Sequence, residues 1–562
     1  MNKRLKRLAW IGFFFLAALI LLLPNKAQLQ NQSELGADLP PRDDYQKEGH
    51  PKMEYVLYRL MGIYQTQGIE KAKEFARLRS IDMEGDLVRV VLESQTGRAS
   101  EAEIQGKASL VKVQVENLGG KVETSYRQLI QSMVPLRALG TLIDYQVVKY
   151  LRLPLKPYLL EVTSEGVNKT GANQWHSLEA YRTQQGAKIC ILDAGFKGYR
   201  NLLGTELPSS VITQSFRVDR SITADEEHGA ACAEIVHDMA PYAELWLVNF
   251  ETDVEQHRAV DWIIDQGVEI ISYSLGWFNA GAGDGTGPIC EDVKKAHDNG
   301  LIWISGAGNE AETHWEGKYR DPDSNGWCNF EKPGEPVSEE FAFYVYEGDS
   351  YFVFLNWDDW GTWTGSEYIG SEGNDYDLYL YREWPVLTDW SRNDQTKGAP
   401  PTEWVAARAS ATGWRYIYID KYQARRNCKL ELFFWYGFNL EHLVPSGSII
   451  IPADSPHAIA VGATDMADDS LHFYSSRGPT SDRRIKPDLC APSGVSSATF
   501  GEREFYGTSA STPHVAGAFG LLRGKTPYTL EQIRTILEAR AVDLGPSGKD
   551  NKFGFGRLSL RR

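Results

Sequence analysis

From Thr170 onward, unbroken apolar runs alternate with amphipathic helical segments, and few architectures accommodate that pattern. Residues 188–192 (KICIL), 244–248, 268–272 and 301–305 are short and nearly all apolar, and helical spacing fills 254–266 and 289–299 between them. A strand that is apolar on both faces must be covered on both faces, the condition of a parallel sheet flanked by helices. A last helix is expected over 530–541, opened by a capping box of Thr529 and Gln532.

Between Glu310 and about Leu443 the alternation stops. This stretch holds ten of the sixteen tryptophans, with strand patterns at 340–346, 351–355, 377–381, 416–419 and 429–435. Short alternating strands separated by Gly, Asp and Asn turns argue for a β-sandwich. The α/β pattern resumes at Ser448, so the sandwich reads as an insertion. Upstream, a strand at 87–93, a helix at 101–118, a strand-like 121–135, a short helix at 136–145 and a strand at 147–153 suggest a small α+β unit. The expected organisation is an N-terminal segment (1–27), a linker with a helical stretch (28–84), the α+β unit (85–163), the α/β domain in two parts (164–312 and 444–562) and the inserted sandwich (313–443).

The chain has 562 residues and a net charge of -16, which argues against a nucleic-acid partner, because phosphate binding needs a basic surface. Lys3, Arg4, Lys6 and Arg7 precede an apolar run from Leu8 to Leu23, broken by Pro24. That is the pattern of an export segment, either removed or retained as a membrane tether, and it places the protein outside the cytoplasm. Cys190, Cys232 and Cys490 lie in apolar runs and read as buried thiols. Cys290, Cys328 and Cys428 have more polar neighbours and could include one bridge in an exported protein, Cys328 with Cys428 being one candidate pair, while the sequence leaves the connectivity open.

Three residues stand at junctions where chemistry is placed in such folds. Asp193 ends the apolar strand, at the C-terminal edge where open α/β sheets bind ligands. His228 opens the small-residue helix HGAACAEIV. Ser509, in GTSASTPHVAG, stands at the start of an Ala- and Gly-rich helix, where backbone N–H groups and the dipole favour a developing anion. Each alone reads as a turn, surface or cap residue. An Asp, a His and a Ser at three strand-helix junctions, in that chain order, are hard to explain so.

With those residues the sequence resembles the subtilase family, over roughly 164–562 apart from the insertion. The order Asp, His, Ser is that of the family's triad. SGAGN (305–309) resembles its oxyanion segment, which makes Asn309 the side-chain donor, and SYSLG (272–276) its substrate-pairing strand, with Ser274, Leu275 and Gly276 as substrate-binding residues. AIAVGATD (458–465), YSSRGP (474–479) and KPDLCAP (486–492) match spacers around the sheet. The resemblance implies a serine endopeptidase that acts on protein or peptide substrates with no required cofactor.

Glu227 and Ala230 stand where the family has Gly and Thr around the histidine, and Ala510-Ser511 replace its Met-Ala. The family's calcium loop between the His helix and the next strand is missing, since His237-Asp238 runs directly into Met239-Ala240-Pro241. Residues 85–162 resemble subtilase propeptides, which implies that the chain's own N-terminal unit is an intramolecular inhibitor. The insertion resembles bacterial pre-peptidase C-terminal-type domains through NDYDLYL (374–380). There Asp375 and Asp377 offer oxygen ligands for calcium, although a solvated acidic turn is the plainer reading. Two rivals follow. One is a catalytically silent binding or scaffold protein that uses the Trp-rich sandwich. The other is an α/β-hydrolase esterase, which lacks its Gly-x-Ser-x-Gly elbow here.

Overall fold

Seven parallel strands form the central sheet, in the spatial order Leu489–Ser493, Ala458–Asp465, Ile302–Gly306, Ile270–Tyr273, Lys188–Asp193, Glu244–Asn249 and Ile212–Ser215. The computed structural model describes residues 49–79, 81–96, 100–155, 158–159, 165–176, 186–331, 338–524 and 526–561. The strand Lys188–Asp193 shows why the sheet is doubly covered. Ile189 and Ile191 enter one core with helices His228–Met239 and Thr508–Arg523, while Cys190 and Leu192 enter the opposite core with Asp253–Asp265 and Pro288–Asp298. The fold is the expected α/β one. The last helix, Leu530–Arg540, carries the capping box of Thr529 and Gln532.

The N-terminal part has its own antiparallel sheet, in which Leu87–Ser94 pairs with Leu129–Pro135 and with Val148–Arg152. The strand-like 121–135 is a hairpin that turns at Arg127 (φ 47°). Two helices, Tyr55–Gln67 and Ile69–Leu78, precede this sheet and share its core. Beyond it, the strand Tyr158–Leu159 pairs antiparallel with Leu275–Gly276.

Between the two halves of the α/β domain lie two four-stranded antiparallel sheets, with His314–Lys318, Lys429–Trp435, Ser350–Trp357 and Thr402–Arg408 in one. The other holds Phe341–Val345, Gly413–Gln423, Asp375–Glu383 and Val386–Ser391. Both contribute to one aromatic-rich core, which makes them a sandwich. Phe278 joins it to the α/β domain, with ring centroids 5.0 Å from Phe354 and 5.1 Å from Phe433.

Two expectations are corrected. Cys328 and Cys428 form no bridge: all six cysteines are free and buried. These two fill the sandwich core as small hydrophobes, and burial pushes both thiols up to about 12. Asp375 and Asp377 do not lie on a solvated turn. They are buried on Asp375–Glu383, with Asp377 opposite Asp420 in the ladder. Among the described residues no helix is long and apolar enough to cross a membrane. The N-terminal segment 1–27 and the linker to residue 48 lie outside the described residues.

Candidate active site

Asp193 is the last residue of its strand and His228 the first of its helix, and both are buried. The two elements can approach because Gly229 lacks a side chain: a Cβ there would meet Gly195 O at 2.6 Å and the Asp193 Cβ at 2.9 Å. His228 Nδ1 lies 2.9 Å from Asp193 Oδ1 and 3.0 Å from Oδ2. A carboxylate is acceptor-only, so Nδ1 carries the proton and Nε2 is the basic nitrogen. Ala194 N donates to Asp193 Oδ1 (2.8 Å), which fixes the carboxylate. Glu226, which sequence reasoning missed, accepts the His228 backbone N–H (3.0 Å). Burial raises its carboxyl above the ordinary range.

Ser509 is the second residue of Thr508–Arg523 and is buried. Its Oγ donates to Ser274 O (3.3 Å), and Ser274 Oγ donates to Ser509 O (3.3 Å). Cys232, one turn beyond His228, brings its thiol 3.7 Å from the same Ser509 carbonyl. Phe505, just upstream of the serine, packs edge-on against the His228 ring at 6.5 Å. Asp193, His228 and Cys232 also form one of two groups of three donor atoms that gather closely enough for a metal among the described residues. Here the Asp–His hydrogen bond accounts for the geometry.

Asn309 follows the strand Ile302–Gly306. Its Oδ1 accepts from Thr508 N (2.9 Å) and Thr508 Oγ1 (3.2 Å), which leaves Nδ2 as a donor beside the serine. Glu310, also missed, accepts the Asn309 backbone N–H through its carboxyl. It bonds Ser476 twice, from Glu310 N to Oγ (3.0 Å) and from Oγ to Oε2 (3.1 Å). Gly308 (φ +112°) makes room, since a Cβ there would lie 2.2 Å from Glu310 Oε2. Burial raises the Glu310 carboxyl to about 8. No local motif announces Glu226 or Glu310, because only tertiary burial sets them apart from surface acids.

Ser274, Leu275 and Gly276 run beside the serine, and the last two pair with Leu159 and Tyr158. Asp375 and Asp377 stand elsewhere, in the sandwich, and belong to neither group of three gathered donors.

A family model described as "Subtilase family" matches residues 442–556. The chain is 27% identical to Bacillopeptidase F of Bacillus subtilis (strain 168) over 339 residues, which are 53% of this chain and 22% of that protein. It is 38% identical to Subtilisin Savinase of Lederbergia lenta over 115 residues, 20% of this chain and 40% of that one. The chain thus spans well under half the length of these relatives. The solved structure of the Clostridium perfringens CspB protease aligns with a TM-score of 0.50 at 15% identity, covering 70% of this chain and 97% of that one; this is a likeness of fold.

Proposed function

From a chain that carries a subtilase-family domain on a subtilisin-like fold, we propose a serine endopeptidase with Asp193, His228 and Ser509 as its triad. The observation that carries this reading is the buried Asp193–His228 pair, which leaves Nε2 as the basic nitrogen, on a helix that packs through Cys232 against the start of the helix bearing Ser509. In the reaction, Ser509 Oγ attacks a peptide carbonyl carbon as its proton passes to His228 Nε2. The carbonyl oxygen becomes an oxyanion held by Asn309 Nδ2 and the Ser509 backbone N–H. Collapse breaks the C–N bond, and His228 returns the proton to the leaving amine. Water then takes the place of Oγ by the same route, which releases the acid. Asp193 keeps Nδ1 protonated throughout.

The N-terminal unit acts as propeptide. Support comes from the strand Tyr158–Leu159, which occupies Leu275–Gly276 as an extended substrate would. Its direction carries the chain from Leu159 toward Ser274, beside Ser509. Self-cleavage is therefore expected between Leu159 and Glu165, across residues 160–164, which lie outside the described residues. N-terminal sequencing of active material should begin there, and an intact N-terminus on fully active enzyme would refute it. The basic-apolar segment 1–27 supports export, with the protein released or tethered outside the cytoplasm.

Ser509→Ala should reduce casein hydrolysis to background and abolish labelling by a fluorophosphonate probe, with an unchanged melting temperature. A wild-type chain that neither hydrolyses casein nor takes the label would favour the silent binding protein instead.

A further inference from the structure

The N-terminal unit meets the rest of the chain on two faces. Its sheet packs on the α/β domain, where Arg152 pairs with Asp253 (2.7 Å) and Thr252 Oγ1 donates to Gln131 (2.6 Å). The second face meets the insertion: the helices Tyr55–Gln67 and Ile69–Leu78, upstream of that sheet, reach the sandwich, and Thr96, Gln128 and Lys149 around the sheet reach Ser366 and Glu367. These two additions to the chain touch each other.

Their contact has the composition of a recognition surface. Asp389, on the sandwich strand Val386–Ser391, is 2% exposed. Its Oδ1 pairs with Arg59 (2.9 Å) and with Arg79, and its Oδ2 accepts from Ala406 N (3.0 Å). The Arg59 guanidinium also lies 3.7 Å over the Trp390 ring and donates to Trp390 O (3.2 Å). Trp390 Nε1 donates to Tyr55 OH (3.1 Å), Tyr55 N to Asn393 Oδ1 (2.9 Å), and Trp404 Nε1 to Glu54 Oε1 (3.0 Å). Arginine and tryptophan around a buried carboxylate are the residues that dominate binding energy at separable interfaces. The apolar core of the unit, by contrast, is built within residues 53–153, and from the sandwich only Trp404 leans on it. The unit thus holds its own core and reaches the sandwich through polar anchors, as separable domains do.

We propose that the inserted sandwich is a docking module for the N-terminal unit: it grips the helices 55–78 through Asp389 and Trp390, and so keeps the unit over the cleft after the connecting chain is cut. This rests on the reading of the unit as a propeptide.

The test uses the full chain. Arg59→Ala/Arg79→Ala is the informative variant, because both changes leave with the N-terminal fragment and the remaining enzyme has wild-type sequence. After self-processing, the wild-type fragment should co-elute with the enzyme on gel filtration. In the variant it should dissociate about tenfold faster or more, and the lag before peptide hydrolysis should shorten in proportion. Asp389→Asn should do the same from the sandwich side. In the uncut Ser509→Ala chain, the double arginine variant should also raise amide hydrogen exchange across 55–78. Unchanged release, lag and exchange would overturn the proposal. A wild-type chain that is never cut would instead refute the propeptide reading, while the exchange measurement still decides whether the sandwich holds the helices.

Discussion

A Cβ on Gly229 would collide with Gly195 O and the Asp193 Cβ, so the contact between acid and base depends on a missing side chain. Gly229→Ala is expected to cost about 1–3 kcal/mol of stability, as overpacking does, and to lower kcat as His228 is pushed from Asp193. A variant that matches wild type in both melting and kcat would contradict this. Glu310 gives a pH prediction. Its carboxyl titrates near 8 in the fold against an ordinary value of 4.5. Between these values the folded state holds a proton that the unfolded state has lost, so stability falls as pH rises from 4.5 to about 8 and is level above. Glu310→Gln should flatten that slope, as read by denaturant midpoints across the window. The positions of Asp193, His228 and Ser509 at element boundaries are legible in the sequence, because periodicity puts each at a junction. Glu226 and Glu310 are not, since their distinction is burial by residues far along the chain. Asp375 and Asp377 misled for the converse reason. The run Asn374-Asp375-Tyr376-Asp377 looks like a turn, and the partner strand Gly413–Gln423 lies well downstream.

Among elements, strands with two buried faces were legible because an unbroken apolar run has few other homes, whereas Ile212–Ser215 was not. As a sheet-edge strand it reads ITQS and is half exposed, so its composition resembles a loop. The N-terminal hairpin reads as one strand because Gln128 follows Arg127 without Gly or Asn at the turn. The seam between sandwich and α/β domain rests on Phe278, which is 6% exposed and lies against Phe354, Phe433 and Trp435. Phe278→Ala is expected to destabilise by about 3–5 kcal/mol, with the sandwich edge showing the first rise in hydrogen exchange. Uniform exchange across the chain would argue that the seam is not its weak point.

At the scale of the whole molecule, the insertion leaves just after Asn309 and returns so that Ile450 N donates to Ala307 O (3.2 Å). Its ends are therefore adjacent in space, beside the segment that holds the proposed oxyanion donor. Replacing residues 313–443 by a short Gly/Ser linker should preserve hydrolysis of a small peptide while altering cleavage of folded proteins. If both are unchanged in a variant that folds, the sandwich has no part in substrate choice.

The order of the parts along the chain has a consequence for synthesis. Residues leave the ribosome N-terminal end first, and domains fold as units as they emerge. The strand that fills the substrate groove, Tyr158–Leu159, is made before the groove strand Leu275–Gly276. The sandwich that meets the helices 55–78 follows, and Ser509 is made after all of these. Ala307 meanwhile waits for Ile450, and Asn309 for Thr508. On the proposed reading, a growing chain thus carries the strand Tyr158–Leu159 before its partner strand and the proposed nucleophile after both, so no chain still short of Ser509 presents an open groove beside a finished serine.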